Sequence, residues 1–337
     1  MNNPTLQIGN IELPGIALLA PMAGITDAPF RAIAEAFGAA MVVSEMIASA
    51  NLVARPSKSQ HRELVRKLEH KGKLPHVVQI AGNEEKWLVL GARIAADAGA
   101  DIIDINMGCP SKKVTNGYAG SALMRVPDRA LRLIETVVEA SPVPVSVKMR
   151  LGWNDESLNA AHIARLAEGA GVQMVAVHGR TRQQFYKGEA RWEPVREVVE
   201  AVDVPVIVNG DIVDHSSALK ALAASRAAGV MIGRGAQGQP WIVGQVNASL
   251  KGEQPVPAPV GPGLIALVLN HYEEMLFAYG EKQGVRVARK HLRWYFEAAG
   301  LELPGETLRA LLTEPDPVRV KTLVKGVLDH HGARVAA

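Results

Sequence analysis

The stretch Asp101-Ile-Ile-Asp-Ile-Asn-Met-Gly-Cys-Pro110 joins an apolar run to a short polar turn. The Ile-rich run predicts a buried β-strand, and Gly108 and Pro110 predict a turn directly after it. The turn carries Cys109, which is the only cysteine of the chain. A single thiol cannot form a disulfide within the chain, and it is often a small buried hydrophobic group. At the end of a strand, however, a thiol is placed to meet a substrate.

The pattern of an apolar run followed by polar residues occurs eight times in the first 235 residues. The runs are Ile16–Ala20, Met41–Glu45, His76–Ala81, Ile102–Asn106, Val143–Met149, Met174–His178, Val204–Asn209 and Gly229–Gly233. Stretches with helical periodicity, such as Trp87–Ala98 and Asp128–Ala140, separate them. Short buried strands that alternate with helices predict a parallel sheet, and eight such units predict an α/β fold of the (β/α)8 TIM-barrel type. An open doubly wound sheet is the alternative.

Residues of the kinds found in active sites and ligand-binding turns stand at the end of every predicted strand. In a barrel these ends converge on one face, where such enzymes have their active sites. The groups are Pro21-Met22-Ala23, Ser44-Glu45, Gln79, Asn106 with Cys109, Lys148, His178 with Arg180, Asn209-Gly210-Asp211 and Gly233-Arg234. A protein with a purely structural role has little reason to collect these residue types at one rim, so the pattern favours an enzyme.

Two of these groups allow more than one interpretation. Lys148 could extend to the surface, form a Schiff base, or place a positive charge beside an electron-rich cofactor ring. The stretch Gly233–Gly238 matches G-x-G-x-x-G, but the further strand of a Rossmann unit does not follow it. We therefore favour a phosphate site made by this turn, Arg234 and Asn209–Asp211, with plain tight turns as the alternative.

The composition is that of an ordinary soluble globular protein. Of 337 residues, 48% are hydrophobic and 21% charged, and the net charge is +3, which permits an anionic partner. The absence of a long apolar run and of a basic, apolar leader predicts a cytoplasmic protein without a membrane span. The histidines lack metal-site spacing, so we expect no metal. We also expect a monomer.

The composition changes after the eighth strand. Residues 252–263 contain four prolines and three glycines, which predicts a linker between a barrel of residues 1–251 and a helical domain of residues 264–337. We expect helices over Leu264–Tyr279 and Val285–Ala299, an N-cap at Asp316, and a helix end at Gly332.

One predicted helix carries a row of basic residues. Its members are Lys282, Arg286, Arg289, Lys290 and Arg293, with aromatic residues directly after them. Spacings of four, three and four place residues 282, 286, 289 and 293 on one helical face. Such a row is the electrostatic footprint of nucleic-acid binding. The alternative is a solvated face of a packed helix.

Together these residues resemble the tRNA-dihydrouridine synthases, and within them the B branch. The resemblance covers nearly the whole chain. Its motifs are Ala20–Asp27, Gln79, Asn106–Val114, Gly120–Leu123, Lys148–Trp153, His178–Arg182, Asn209–Asp211, Gly233–Gly235, Pro240–Ile242 and Arg286–Tyr295.

The resemblance implies an FMN enzyme that reduces the C5–C6 double bond of uridine in tRNA to 5,6-dihydrouridine, with NADPH or NADH as reductant. It implies that Cys109 donates the proton to C5, and thiols are mostly protonated at neutral pH. The implied FMN ligands are Pro21, Met22, Ala23, Gln79, Lys148, His178, Asn209, Gly210, Asp211, Gly233 and Arg234. The implied substrate contacts are Asn106 with the uracil, and Lys112, Lys113, Arg180, Arg286, Arg289, Lys290 and Arg293 with tRNA.

Two other functions are compatible with parts of the pattern. A flavin-dependent reductase of a free pyrimidine-like small molecule would share the barrel and its polar rim, but it would need no basic helix. A non-catalytic RNA-binding regulatory protein would need the basic helix, but neither Cys109 nor Lys148.

Overall fold

The computed structural model describes residues 5–53 and 58–335, with the side chains of residues 53, 58–60 and 330–335 outside the description. Its central strands are β3 (Ala17–Leu19), β4 (Met41–Val42), β5 (Ile47–Ala48), β6 (Val77–Ala81), β7 (Ile102–Met107), β8 (Val145–Arg150), β9 (Met174–His178), β10 (Val206–Asn209) and β11 (Gly229–Ile232). They form one parallel sheet in the order β4-β3-β11-β10-β9-β8-β7-β6-β5. Val43, directly after β4, forms a parallel bridge with Val77 of β6. This bridge joins the two sides of the sheet and closes a barrel, so the predicted TIM-barrel fold is confirmed and the open sheet is excluded.

The second predicted strand, Met41–Glu45, is observed as the shorter β4, and a further strand, β5, follows it at Ile47–Ala48. Between these pieces the side chains of Ser44 and Glu45 are buried and act as hydrogen-bond acceptors. Ser44 Oγ accepts from the N–H of Gln79 at 3.0 Å, and Glu45 Oε1 accepts from the N–H of Gly24 at 2.5 Å. Side-chain bonds therefore replace part of the backbone ladder here, and eight predicted strands become nine.

Helices surround the barrel and continue beyond it. They are α1 (Ala28–Ala36), α2 (Ser49–Val53), α3 (Lys58–Leu68), α4 (Glu85–Asp97), α5 (Lys112–Thr115), α6 (Pro127–Ala140), α7 (Ala160–Gly169), α8 (Val195–Val199), α9 (His215–Ser225), α10 (Ile242–Leu250), α11 (Gly261–Tyr279), α12 (Glu281–Ala298), α13 (Gly305–Thr313) and α14 (Pro317–Val335), with 3₁₀ turns at Gly120–Arg125 and Arg234–Ala236. Throughout the described ranges, each helix is too short or too polar to cross a lipid bilayer.

A short antiparallel hairpin precedes the barrel and was not predicted. It consists of β1 (Leu6–Ile8) and β2 (Ile11–Leu13), joined through Gly9 in a left-handed conformation. Leu6, Ile8 and Leu13 pack into the cluster that fills the lower barrel interior. Each such buried side chain stabilises the fold by roughly 1.5–3 kcal/mol. The hairpin therefore covers the floor of the barrel, on the side away from the carboxyl ends of the strands.

The barrel interior changes from apolar to polar along the strands. Its lower layer contains Val77, Ile102, Ala176 and Ile207. Side chains two residues apart on a strand face the same way. The same strands therefore bring inward the next residues in register, which are Gln79, Asp104, His178 and Asn209. The apolar layer holds the barrel together, and the polar layer lies at the carboxyl ends of the strands.

The C-terminal helices pack around a hydrophobic cluster of their own. Buried side chains of α11, α12, α13 and α14 meet there, including Tyr272 and Phe296. Helix α11 begins at Gly261, three residues before the predicted start, because Pro262 occupies the first turn, where its missing N–H costs nothing. Asp316 Oδ1 accepts from the N–H of Val318, as expected of an N-cap residue. The predicted helix end at Gly332 is wrong, since α14 continues through it to Val335.

These helices contact the barrel at the loop after β3 and at the turn after β11. The Tyr279 hydroxyl donates to Oδ2 of buried Asp27 at 2.9 Å, and Lys290 Nζ donates to the carbonyl of Gly24. At Gly238, an added Cβ would lie 2.1 Å from the carbonyl oxygen of Trp294. The absence of a side chain at Gly238 thus lets α12 approach the barrel rim closely.

Asn247 on α10 ties the outer layer to the first barrel strand. Its Oδ1 accepts from the N–H groups of Ile16 and Ala17 at 2.9 and 3.2 Å, and its Nδ2 donates to the carbonyl of Gly38 at 3.0 Å. We expect Asn247→Leu to lower the free energy of unfolding by about 3 kcal/mol, because three buried backbone groups lose their partner. Urea unfolding followed by circular dichroism measures this. Gln245→Ala on the same helix is the control, and an equal loss in both variants would contradict the assignment.

Candidate active site

The carboxyl ends of the barrel strands bring predicted cofactor and substrate contacts together. Asn106 on β7 and Lys148 on β8 are direct register partners. Lys148 Nζ donates to Oδ1 of Asn209 on β10 at 3.0 Å, while Asn209 Nδ2 donates to the carbonyl of Met231 at 2.7 Å. The lysine amine is therefore held in the barrel mouth by its neighbours, and it does not extend to the surface.

Cys109 lies on a turn that is held from three sides. Its N–H donates to Oδ1 of Asn106 at 3.0 Å, and its carbonyl accepts from Ser121 Oγ at 2.8 Å. The carbonyl of Gly108 accepts from Nε of buried Arg150 at 2.7 Å. The thiol residue itself is partly exposed. A partly exposed thiol on a fixed backbone is suited to contact with a bound molecule.

The charges of Lys148 and Arg150 act at the position of Cys109. The pKa of the Lys148 ammonium is lowered to about 8. Burial is the main cause and the Arg150 charge adds to it, while the negative charge of Asp104 acts in the opposite direction. Asn106, the register partner of Lys148, accepts from the N–H of Cys109, so the cysteine and the lysine lie at the same mouth of the barrel.

Two buried polar residues beneath this site, Asp104 and Ser146, were not predicted as site residues. Asp104 accepts from Gln79 Nε2 at 2.6 Å and from Ser146 Oγ at 2.7 Å. Burial raises the pKa of the Asp104 carboxyl to about 6, despite these hydrogen bonds and the Lys148 charge. The signal was present in the sequence: Asp104 lies two residues before Asn106, so both side chains point to the barrel interior.

The other half of the rim is built around Asp211. Its carboxylate accepts from Nη1 and Nη2 of Arg180 at 2.9 and 2.6 Å and from Arg234 at 3.2 Å. Burial would raise the pKa of Asp211, but the bonds from Arg180 and the Ala190 N–H outweigh it and hold the pKa below its usual range. Asp211 therefore orients two guanidinium groups.

The structure corrects the predicted role of Arg180. Its side chain is only 2% exposed, and its remaining N–H groups donate to the carbonyls of Lys187 and Gly188 and contact His178 Nε2. It is therefore enclosed and cannot reach a tRNA phosphate. Arg234, by contrast, is half-exposed at the rim and lies over the ring of Tyr186.

His178 lies beside this cluster in its neutral form. Burial, together with the charges of Lys148, Arg150 and Arg180, holds the pKa of its imidazole well below the ordinary value. An added Cβ at Gly210 would lie 2.8 Å from Cδ2 of this ring, so only glycine permits the turn at that position. At neutral pH His178 is thus a hydrogen-bonding group without charge.

The turn after β11 faces the loop after β3 across a narrow gap. An added Cβ at Gly233 would come within 3.7 Å of Ala20 Cβ and 3.8 Å of Met22 Sδ. The predicted residues Pro21 and Met22 are partly buried there, and Ala23 is exposed. The turn continues into a 3₁₀ turn and α10 and not into another strand of a Rossmann unit, so the Rossmann alternative is excluded.

A comparison with known protein families agrees with this geometry. The family described as "Dihydrouridine synthase (Dus)" matches residues 18–321. The chain belongs to this family. It is 50% identical over 330 residues to a "Probable tRNA-dihydrouridine synthase" of Rhodobacter capsulatus, covering 98% of this chain and 99% of that protein. It is 43% identical to "tRNA-dihydrouridine synthase B" of Pseudomonas aeruginosa, covering 89% of this chain and 88% of that protein.

The basic residues of this dihydrouridine synthase family member do not form one uniform surface. Lys112 and Lys113 on α5, and Lys282 and Arg286 on α12, are exposed. Arg293 is exposed and paired with Glu297 at 2.7 Å. Of these basic residues on α12, Lys282 and Arg286 are exposed, whereas Arg293 already has an acidic partner.

Two predicted members of that row face the protein. Lys290 is partly buried and donates to the carbonyl of Gly24, so its contact with tRNA stays a prediction. Arg289 is partly buried, with Nη2 3.5 Å from the carbonyl oxygen of Thr313. The 3.6-residue period places a side chain on a helical face, but the neighbouring loop decides whether that face is free.

The lowered pKa of Lys148 predicts a pH-dependent stability of the flavin-free protein. Between about pH 8 and the ordinary lysine value of 10.5, the unfolded chain binds a proton that the folded chain does not. The free energy of unfolding therefore rises with pH in this window. We expect the native chain to gain roughly 3 kcal/mol over Lys148→Met across it.

Urea unfolding at a series of pH values measures this difference. Lys325→Met changes an exposed lysine on α14 and is the matched control. Its free energy of unfolding should change with pH in the same way as that of the native chain. If the free energy of unfolding of Lys148→Met has the same pH dependence as that of the native chain, the pKa of Lys148 is not lowered.

Proposed function

We propose that this protein reduces the C5–C6 double bond of uridine in tRNA, forming 5,6-dihydrouridine. The observation that carries the proposal is the geometry of a dihydrouridine synthase family member in which Cys109 and Lys148 share one barrel mouth. The 50% identity with a probable tRNA-dihydrouridine synthase over nearly the full length of both chains supports the substrate class. The lower identity with a B-type relative supports assignment to the B branch.

The cofactor of this proposal is FMN. The residues fit it, because the mouth offers a buried cation, neutral polar groups, a partly apolar loop and a half-exposed arginine beside a gap that a Cβ would fill. Pro21, Met22, Ala23, Gln79, Lys148 and His178 would hold the ring and its substituents, and Asn209, Gly210, Asp211, Gly233 and Arg234 the phosphate end. A bound flavin supplies the hydride, and the family resemblance makes NADPH or NADH its source.

Cys109 holds the second hydrogen that the reaction needs. Replacing the C5–C6 π bond by two C–H bonds takes one hydride at C6 and one proton at C5. The thiol supplies the proton as a general acid. Asn106, which fixes the Cys109 turn, lies beside Lys148 and is our candidate for holding the uracil.

In this proposal the tRNA binds on the side of the barrel mouth, and the exposed cations there support this placement. Lys112 and Lys113 follow the Cys109 turn directly, and Lys282 and Arg286 are presented by α12, whose Lys290 touches the loop after β3. A base must leave its stack to reach a catalytic site inside a barrel mouth. Phosphate contacts around the mouth would hold the flanking nucleotides while it does so.

Cys109→Ala tests the proton donor. We expect the variant to retain bound FMN, seen in its visible absorbance, and to lose activity on tRNA by about 10²–10⁴-fold, because the proton transfer is lost. Dihydrouridine is measured by mass spectrometry of digested tRNA. Turnover equal to that of the native chain would remove Cys109 from the mechanism.

Arg286→Glu tests the tRNA surface. We expect weaker tRNA binding and a salt dependence reduced by about one unit of log–log slope, since one phosphate contact is lost. Fluorescence anisotropy at several salt concentrations measures both quantities. Lys325→Glu makes the same charge change on exposed α14 and should leave binding close to the native value. If the two variants lose affinity equally, net charge and not the α12 surface explains the effect.

A further inference from the structure

A continuous chain of side-chain hydrogen bonds runs inside the barrel from Asp104 to Cys109. Asp104 Oδ2 accepts from Gln79 Nε2 at 2.6 Å, and Gln79 Oε1 accepts from Asn106 Nδ2 at 2.8 Å. Asn106 Oδ1 in turn accepts from the N–H groups of Gly108 and Cys109 at 3.3 and 3.0 Å. The three side chains of this chain are at most 7% exposed.

The two ends of the chain determine the orientation of both amides between them. A carboxylate only accepts hydrogen bonds, so Gln79 must turn its NH₂ group toward Asp104 and its oxygen toward Asn106. A backbone N–H only donates, so Asn106 must turn its oxygen toward Cys109 and its NH₂ group toward Gln79. Both requirements give the same arrangement. Reversing either amide would place two donors or two acceptors against each other.

We infer that Asp104 is a positioning residue, which acts through Gln79 and Asn106 to hold the Cys109 turn in its reactive orientation. The inference rests on the proposed role of Cys109 as proton donor. Amide groups do not relay protons at neutral pH, so Asp104 contributes orientation and not a proton. The bond from Ser146 Oγ to Asp104 Oδ1 at 2.7 Å fixes the carboxylate from its other side.

A different role for Asp104 would give a different set of variant effects. Its charge also acts on Lys148. Asparagine keeps an acceptor oxygen for Gln79 and can donate its NH₂ to Ser146 Oγ, but it carries no charge. Valine offers neither acceptor nor charge. If Asp104 acts by positioning, Asp104→Asn should keep the rate of flavin reoxidation by tRNA that Asp104→Val loses. If Asp104 acts by its charge, both variants should lose that rate.

The test uses FMN-loaded protein and two measurements. In stopped-flow experiments, we expect Asp104→Val to slow reoxidation of the reduced flavin by tRNA about 10- to 100-fold, while reduction by NADPH stays close to native. Asp104→Asn should recover most of this loss. The control Ser225→Ala changes a buried serine of α9 outside this network and should stay close to native. Equal impairment of Asp104→Asn and Asp104→Val, or native rates in Asp104→Val, would overturn the inference.

The second measurement is the rate at which iodoacetamide alkylates the single cysteine of the folded protein, without denaturant. Mass spectrometry follows this reaction. We expect Asp104→Val to increase the alkylation rate several-fold, because the released turn exposes the thiol, with Asp104→Asn near native. If Asp104→Val does not fold, Gln79→Met interrupts the same chain and should raise the alkylation rate in its place. A native alkylation rate in the folded variant would contradict the inference.

A double-variant cycle separates this inference from the proposed function. If Asp104 acts through Cys109, Asp104→Val should have little further effect on flavin reoxidation once Cys109→Ala is present. A full additional loss would show that Asp104 acts elsewhere. If Cys109→Ala alone has native turnover, the proposed proton donor fails whatever the Asp104 variants do.

Discussion

The parallel pairing of strands around a closed barrel sets the position of every residue at the site. Because all strands run the same way, residues separated by tens of positions in the chain meet at one rim. Asn106 and Lys148 are neighbours through the register of β7 and β8, and Asn209 reaches Lys148 from β10. The single bridge between Val43 and Val77 closes the ring that makes this convergence possible.

A polar barrel interior is costly unless each buried group has a partner. Here the apolar lower layer and the β1–β2 hairpin provide the packing, and the upper layer is paired internally. Asp104 has two donors, and Arg180 is matched by Asp211 and by backbone carbonyls. Burial shifts the pKa of Lys148 and Asp104 toward neutrality, which is usual where a site is prepared for chemistry.

The C-terminal helices are joined to the site and not merely attached to the barrel. The Tyr279–Asp27 bond, the Lys290–Gly24 bond and the close approach at Gly238 all touch loops that begin at barrel strand ends. A segment that contacts RNA through α12 would therefore rest on the loop proposed to contact the flavin. This arrangement gives the two parts of the chain one shared boundary at the barrel mouth.

Apolar periodicity and the residues after each strand are local features, so they were enough to predict the barrel and the residues that line its rim. The features that the sequence did not predict depend on contacts between strands. The break between β4 and β5 depends on hydrogen bonds that the side chains of Ser44 and Glu45 accept. The orientation of Gln79 on β6 depends on Asp104 of the neighbouring strand β7. Only the tertiary structure could show that Arg180 is enclosed by Asp211 and that Lys290 turns toward Gly24. A charged residue in a sequence has no known partner, and its role follows from the partner that folding brings to it.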